Sequence, residues 1–250
     1  MHLNNSLWEG VYNSFAEAGG DLDAFDSDIW IDKQKSRILN ALNAYHTQST
    51  VSKDYPLSLV VAMALAQKDQ LHVLDFGGGM GLQYLEMIAQ VPESQNRVEC
   101  YVVDGQASTD NRPAELSQFS KLHFLQDFND LNSAVDIVHI GSTLQYIEDW
   151  KRLLQSLVDQ FTPKYFVFSD LLAGDIPTFV SHQIFYNKKI PMMMFSLNEF
   201  MEVLGKLFFK PIYKTNFQAS ILGRNELPNH SLPEKYRIKY TFNCIFKTCD

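Results

Sequence analysis

The stretch "VLDFGGGMG", Val73 to Gly81, sets one acid and four glycines in nine residues. Asp75, Gly77, Gly79 and Gly81 stand at alternate positions, in the order acid-x-G-x-G-x-G. Glycines spaced in this way let a backbone take positive φ and come close to a ligand. A phosphate-cradling P-loop would continue with Gly-Lys-Ser/Thr, which is absent here. A dinucleotide fingerprint aligned on Gly77 and Gly79 puts Leu82 at its third glycine, so that fit is imperfect. A second acid, Asp104, follows about 20 residues beyond the last glycine, at the spacing of a carboxylate that accepts hydrogen bonds from ribose hydroxyls.

Elements of alternating type must hold these groups. "LHVLDF" (71–76) reads as a buried strand, "GLQYLEMIAQ" (81–90) as a helix and "VECYVVD" (98–104) as the next strand. "KLHFLQ" (121–126), "AVDIVHIG" (134–141) and "PKYFVFSD" (163–170) continue the strands, with the amphipathic "EDWKRLLQSLVDQF" (148–161) before the last. Short apolar strands alternating with helices predict a parallel sheet covered on both faces, with ligands at the carboxyl ends of its strands. Ile31, Ile38, Leu42 and Tyr45 recur at helical spacing, and Pro56 opens a second helix. Ser196 and Glu199 have the spacing of a capping box. Two strands, near 210–217 and 240–248, close the chain. The expectation is an α/β, Rossmann-like, seven-stranded and mostly parallel sheet with a reversed edge strand. Residues 1–56 are expected as an N-terminal helical lid or extension, and 57–250 as the core with an irregular substrate-side insertion at 171–195.

Composition narrows the function. With 46% hydrophobic residues and a net charge of −8, the chain lacks the basic footprint that nucleic acid requires. The longest apolar run, "LSLVVAMALA", is half a membrane span. "MHLNNSLWEG" has neither the positive nor the apolar region of a secretory signal. Three cysteines without a C-x-x-C pair predict reduced thiols and a cytoplasmic location. Seven histidines without clustered spacing predict no metal site.

The glycine pattern resembles that of class I S-adenosylmethionine-dependent methyltransferases. That cofactor carries an ammonium, a carboxylate and a sulfonium but no pyrophosphate, so an acid at the strand end is useful where a dinucleotide site prefers bare N–H groups. The resemblance implies that Asp75, Gly77, Gly79, Gly81 and Asp104 bind S-adenosylmethionine. It also implies that Asp127 and Phe128, in "QDF" after the third strand, meet the adenine amine and ring, and that Gly141 closes the cofactor side. "WEGVYNSFAEA", "STLQYIED" and "SDLLAGDIPTFVSHQIFYNKKIP" are similar to segments of a bacterial methyltransferase family named after a Leptospira member and often encoded among surface-polysaccharide genes. The chain departs from that family at "HQIFY" and "MMMF", where substrate would be read.

Acceptor chemistry is less legible. "GSTLQYIED" (141–149) takes the place of the Asn/Asp-Pro-Pro-Tyr/Phe run of many amino-methylating enzymes, which disfavours a nucleobase amine. Gln145, Tyr146, Gln183 and Tyr186 are the expected substrate contacts. Asp170 and His182 are the expected catalytic residues, with His182 as the base for a hydroxyl acceptor. His139, inside a buried strand, is expected to be a hydrogen-bonded core residue. Trp8, Tyr12 and Phe15 either cover the cofactor or dock on the sheet. The leading reading is O-methylation of a sugar, a glycan intermediate or another small molecule. A nucleotide-linked sugar would need Lys188, Lys189 or Arg224 to offset the acidic field. The alternatives are a nicotinamide-dependent (NAD) oxidoreductase and a non-catalytic scaffold of the same fold.

Overall fold

A computed structural model describes residues 6–47, 56–185, 188–217 and 227–249. In chain order the elements are β1 (Trp8–Tyr12), α1 (Phe15–Ala18), α2 (Asp28–His46), α3 (Pro56–Leu65), β2 (Leu71–Phe76), α4 (Leu82–Gln90), α5 (Ser94–Arg97), β3 (Val98–Val103), α6 (Gln106–Asp110) and β4 (Leu122–Leu125). There follow β5 (Ile137–Gly141), α7 (Trp150–Phe161), β6 (Tyr165–Leu171), β7 (Ala173–Gly174), β8 (Phe179–Phe185), β9 (Lys188–Ser196), α8 (Leu197–Lys206), β10 (Phe209–Phe217) and β11 (Thr241–Thr248).

Seven strands form one sheet in the order β10-β11-β6-β5-β2-β3-β4. β2 pairs in parallel with β3 and β5, and β11 runs antiparallel to both of its neighbours. The mostly parallel Rossmann-like sheet is therefore present. Its reversed strand stands one place in from the edge, because β11 inserts between β6 and β10. The central strands are apolar on both faces: Val73, Leu74, Ile137, Val138, Phe166 and Val167 are fully buried. Each such side chain contributes about 2 kcal/mol of transfer free energy to the core beneath the ends of β2 and β5. α2 packs through Ile31, Ile38 and Leu42 onto the face that also holds Tyr84, Leu85 and Ile88 of α4.

Two regions differ from the sequence expectation. Residues 171–195 are not irregular, because β1, β8, β9 and β7 form a second, four-stranded sheet in that order. Pro191 hides β9 from a sequence reading, since proline in a run argues against a strand. At Pro191, opposite His182, β9 is paired only with β8, and β7 reaches no further than Phe195 and Ser196. Among the described residues no strand on the other side asks for the missing N–H. The N-terminal segment is likewise not helical throughout: β1 pairs with β8, Trp8 is buried, and Tyr12 and Phe15 pack against the core, so these aromatics dock. At α8, Ser196 accepts from the Glu199 N–H as a cap should, but the Glu199 carboxylate turns instead to Lys151 and Thr178. The three cysteines are free thiols. Among the described residues no helix is long and apolar enough to cross a membrane.

Candidate functional site

The glycine turn joins β2 to α4 at the carboxyl edge of the sheet. Gly77, Gly79 and Gly81 have φ of 70°, 59° and 84°, so all three lie where an L side chain is strained. Gly78, a variable position in the motif, is required for another reason: a Cβ there would lie 2.3 Å from Asp75 Oδ2. At Gly77 a Cβ would meet the Thr143 methyl at 2.2 Å, and the Thr143 hydroxyl lies 3.1 Å from the Gly77 carbonyl. Gly79 is open; the nearest atom to an added Cβ is Gln34 Oε1 of α2, at 3.7 Å. The turn thus presents bare backbone beneath α2, with the Gln34 amide beside it.

Asp104, just past β3, binds this turn directly. Its Oδ2 accepts from the Gly79 N–H at 2.8 Å and its Oδ1 from the Gly105 N–H at 2.8 Å. Burial raises its pKa above the ordinary aspartate value, against the Gly79, Ser108 and Gly105 hydrogen bonds that lower it. A carboxylate has about four acceptor sites, and with the Gly79, Gly105 and Ser108 hydrogen bonds in place Asp104 keeps capacity for about one further donor. Asp127 caps the turn after β4, accepting from the Asn129 N–H, and Phe128 meets Phe76 edge-on at 6.1 Å.

Asp75 lies below the turn and is fully buried. His139 Nδ1 is 2.7 Å from its Oδ1, and His139 Nε2 is 2.8 Å from the Ser169 hydroxyl. His139 is therefore the hydrogen-bonded core residue expected, bridging β2 and β6 from β5. Gly141 makes room for that ring, since a Cβ there would lie 2.8 Å from His139 Cε1.

A second cluster begins where β5 and β6 end. Ser142 and Asp170 both have positive φ, 49° and 55°, and the Ser142 hydroxyl donates to Asp170 Oδ2 at 2.8 Å. Two strained non-glycine residues in contact store conformational energy at one point, a feature that clusters at functional sites. Thr241 and Asn243 of β11 complete the clamp: the Thr241 hydroxyl donates to Asp170 Oδ1 at 2.6 Å, and Asn243 Oδ1 accepts from the Asp170 N–H at 3.0 Å.

Beside this clamp, Gln145 is buried and donates to the Ser142 carbonyl, and the Tyr146 hydroxyl donates to Gln183 Oε1. Burial pushes the Tyr146 phenol well above its ordinary pKa, a hydrogen bond with Gln145 opposes this, and the Asp170 charge adds to the rise. Phe25 meets Tyr146 edge-on at 4.8 Å, and Trp30 touches both Phe25 and Phe185.

Sequence reasoning named Gln145, Tyr146, Gln183 and Asp170, and the fold gathers them. It missed Ser142, Thr241, Asn243, Gln34, Phe25, Trp30 and Gly78. Only Gly78 carried a signal, its place inside a run of three glycines.

His182 does not join this group. Successive residues of a strand point to opposite faces. Gln183 faces Tyr146, whereas His182 Nε2 is 3.0 Å from the Ala18 carbonyl and its ring packs on Tyr12 at 4.9 Å. The geometry makes it a fastener of α1 to β8, on the opposite face from Gln183 and Tyr146. Tyr186 and Arg224 lie outside the described residues. Lys188 and Lys189 are engaged by Asp23 and Glu9, so their charge is already neutralised. A groove of about 740 Å³ beside β4, under Arg112, shares no residue with the turn, Asp104 or the acceptor cluster. Among the described residues no group of three or more His, Cys, Asp or Glu is arranged to hold a metal.

No family model matches the sequence, and no curated protein matches it. Solved structures do. A Burkholderia thailandensis 1,6-didemethyltoxoflavin-N1-methyltransferase with bound S-adenosylhomocysteine superposes with a TM-score of 0.50 at 14% identity, over 88% of this chain and 90% of that one. The chain paired with the Trm112 methyltransferase activator of Haloferax volcanii gives 0.53 at 16% identity, over 92% and 98%. A pericyclic reaction enzyme gives 0.50 at 14% identity, over 91% of this chain and 57% of that one. The chain has the Rossmann-like methyltransferase fold.

Proposed function

We propose that this chain is an S-adenosylmethionine-dependent methyltransferase acting on a hydroxyl of a neutral small molecule or sugar ring. The observation that carries the reading is the turn from Gly77 to Gly81, with positive φ at each alternate glycine and its middle N–H held by Asp104. The residues fit the cofactor: bare backbone at Gly79, a buried acid at Asp75, spare acceptor capacity on Asp104, and Asp127 and Phe128 after β4. When bound, S-adenosylmethionine supplies an electrophilic methyl group on a sulfonium. Asp170 takes the acceptor's proton in place of His182, because its carboxylate stands with Tyr146 and Gln183 while the imidazole faces away. Tyr146 and Gln183 orient the acceptor, with Phe25, Trp30 and Phe185 as apolar wall, and α2 lies over the glycine turn and helps to exclude water. With Lys188 and Lys189 already paired, a neutral ring suits this wall better than a diphosphate-linked sugar. The free thiols agree with a cytoplasmic location, and the resemblance of the segment from 169 to 191 keeps surface-polysaccharide building blocks as the first acceptors to assay.

The fold is shared with an enzyme of pericyclic chemistry, so methyl transfer must be argued from the site. Calorimetric titration with S-adenosylhomocysteine, with NAD in parallel, is the direct test. Binding of the former alone, lost in Gly79→Arg, is the expected result. Binding of NAD alone would overturn the reading, and cofactor binding without turnover on any hydroxyl acceptor would leave a scaffold.

A further inference from the structure

We infer that His139 and Ser169 are positioning residues for the cofactor's ammonium, acting through Asp75 as a buried relay across β2, β5 and β6. The inference rests on the cofactor reading above. Asp75 Oδ1 is taken by His139, but Oδ2 is buried and has no hydrogen-bond partner. A buried carboxylate oxygen without a partner is costly and calls for an explanation. Oδ2 faces the turn: it is the atom that a Cβ on Gly78 would strike. The Asp75 charge is thus aimed at the one stretch of backbone without side chains to come between it and a ligand.

His139 fixes that aim. Beside a carboxylate, which can only accept, Nδ1 carries the proton and donates to Oδ1, setting the rotation of the carboxylate, and this leaves Nε2 to accept from the Ser169 hydroxyl 2.8 Å away. The register enforces the alignment, since Asp75 is opposite His139 on β2 and β5, and Gly141 is opposite Ser169 on β5 and β6. Ser169 is also the residue before Asp170, and its carbonyl accepts from the Ser142 N–H at 2.9 Å. The relay therefore runs from the floor of the cofactor turn to the strained acceptor clamp.

The test compares the binding of S-adenosylhomocysteine with that of its analogue lacking the α-amino group, by calorimetry, in the wild type and three variants. The wild type is expected to prefer the amino compound by tenfold or more. His139→Leu and Asp75→Asn should abolish the preference while binding of the deaminated analogue stays within twofold, and Ser169→Ala should reduce it by a lesser factor. A purely structural role would weaken both ligands alike. A preference that survives in His139→Leu overturns the relay. If His139→Leu does not fold, full preference in both Asp75→Asn and Ser169→Ala overturns it equally. A wild type that binds neither compound overturns the cofactor reading itself, and the relay with it.

Discussion

The glycine turn and the Ser142–Asp170 clamp occupy neighbouring positions along the carboxyl edge of one sheet, yet they are built in opposite ways. The turn is local: its shape resides in the φ angles of residues 77–81, and only the Asp104 carboxylate and the Thr143 hydroxyl, among the described side chains, are seen to bond its backbone from afar. The clamp is assembled from a distance. Ser142 meets Asp170 across 28 residues, Tyr146 meets Gln183 across 37, and Asp170 meets Thr241 across 71. The turn carries its strain on glycine, where positive φ costs little. The clamp carries it on serine and aspartate, where each such residue costs on the order of 1 kcal/mol or more and must be held by its surroundings. One region is a conformation waiting for a ligand, and the other is a set of side chains forced into register by strands.

Substitutions can separate the two. The largest effect is expected from Asp170→Asn, which keeps the shape of the clamp and removes the proton acceptor. Turnover should fall by about 10²- to 10⁴-fold, with S-adenosylhomocysteine affinity unchanged by calorimetry. Loss of affinity as well would mean that the two regions are not separable. Gly78→Ala comes next and acts on the other side. Its Cβ collides with Asp75, so thermal or urea melts should show a loss of about 1–3 kcal/mol, together with weakened cofactor binding.

Acidification sharpens the contrast further. Burial holds the Asp104 pKa above the usual aspartate value. A carboxylate raised in the folded state contributes stability that is present below its unfolded pKa and lost as pH rises through its folded pKa. Above the ordinary aspartate pKa of about 4, the Asp104 contribution to the stability of the free protein should therefore grow on acidification. Cofactor affinity should decline over the same range, because the protonated acid loses acceptor capacity for the ribose. Titrations and melts in matched buffers should show both trends, and Asp104→Asn should flatten both. The smallest effect is expected at His182. His182→Gln should leave the pH profile of turnover unchanged and cost about 1 kcal/mol of stability through the lost hydrogen bond to the end of α1. A shifted profile would return the imidazole to the chemistry.

Legibility followed the same division. The alternation of strands and helices, the glycine turn, Asp104 and the cap at Ser196 could be read because each depends on neighbours within a few residues or on a fixed strand-to-strand spacing. The second sheet could not, since β1 and β8 meet across some 170 residues and β9 contains a proline. His182 shows the limit most clearly. Its residue type and its position on the covering segment both suit a base, but the alternation of β8 sends its ring to Tyr12 while its neighbour Gln183 goes to Tyr146.

The sequence by itself determined the core and the turn, because apolar periodicity and the conformational freedom of glycine are properties of the local chain. Only the tertiary structure decided what the turn faces and which acid stands with Tyr146 and Ser142. The strain at Ser142 and Asp170, the burial of Asp75 and the direction of each β8 side chain exist once distant strands are in register, and no spacing along the chain encodes that register.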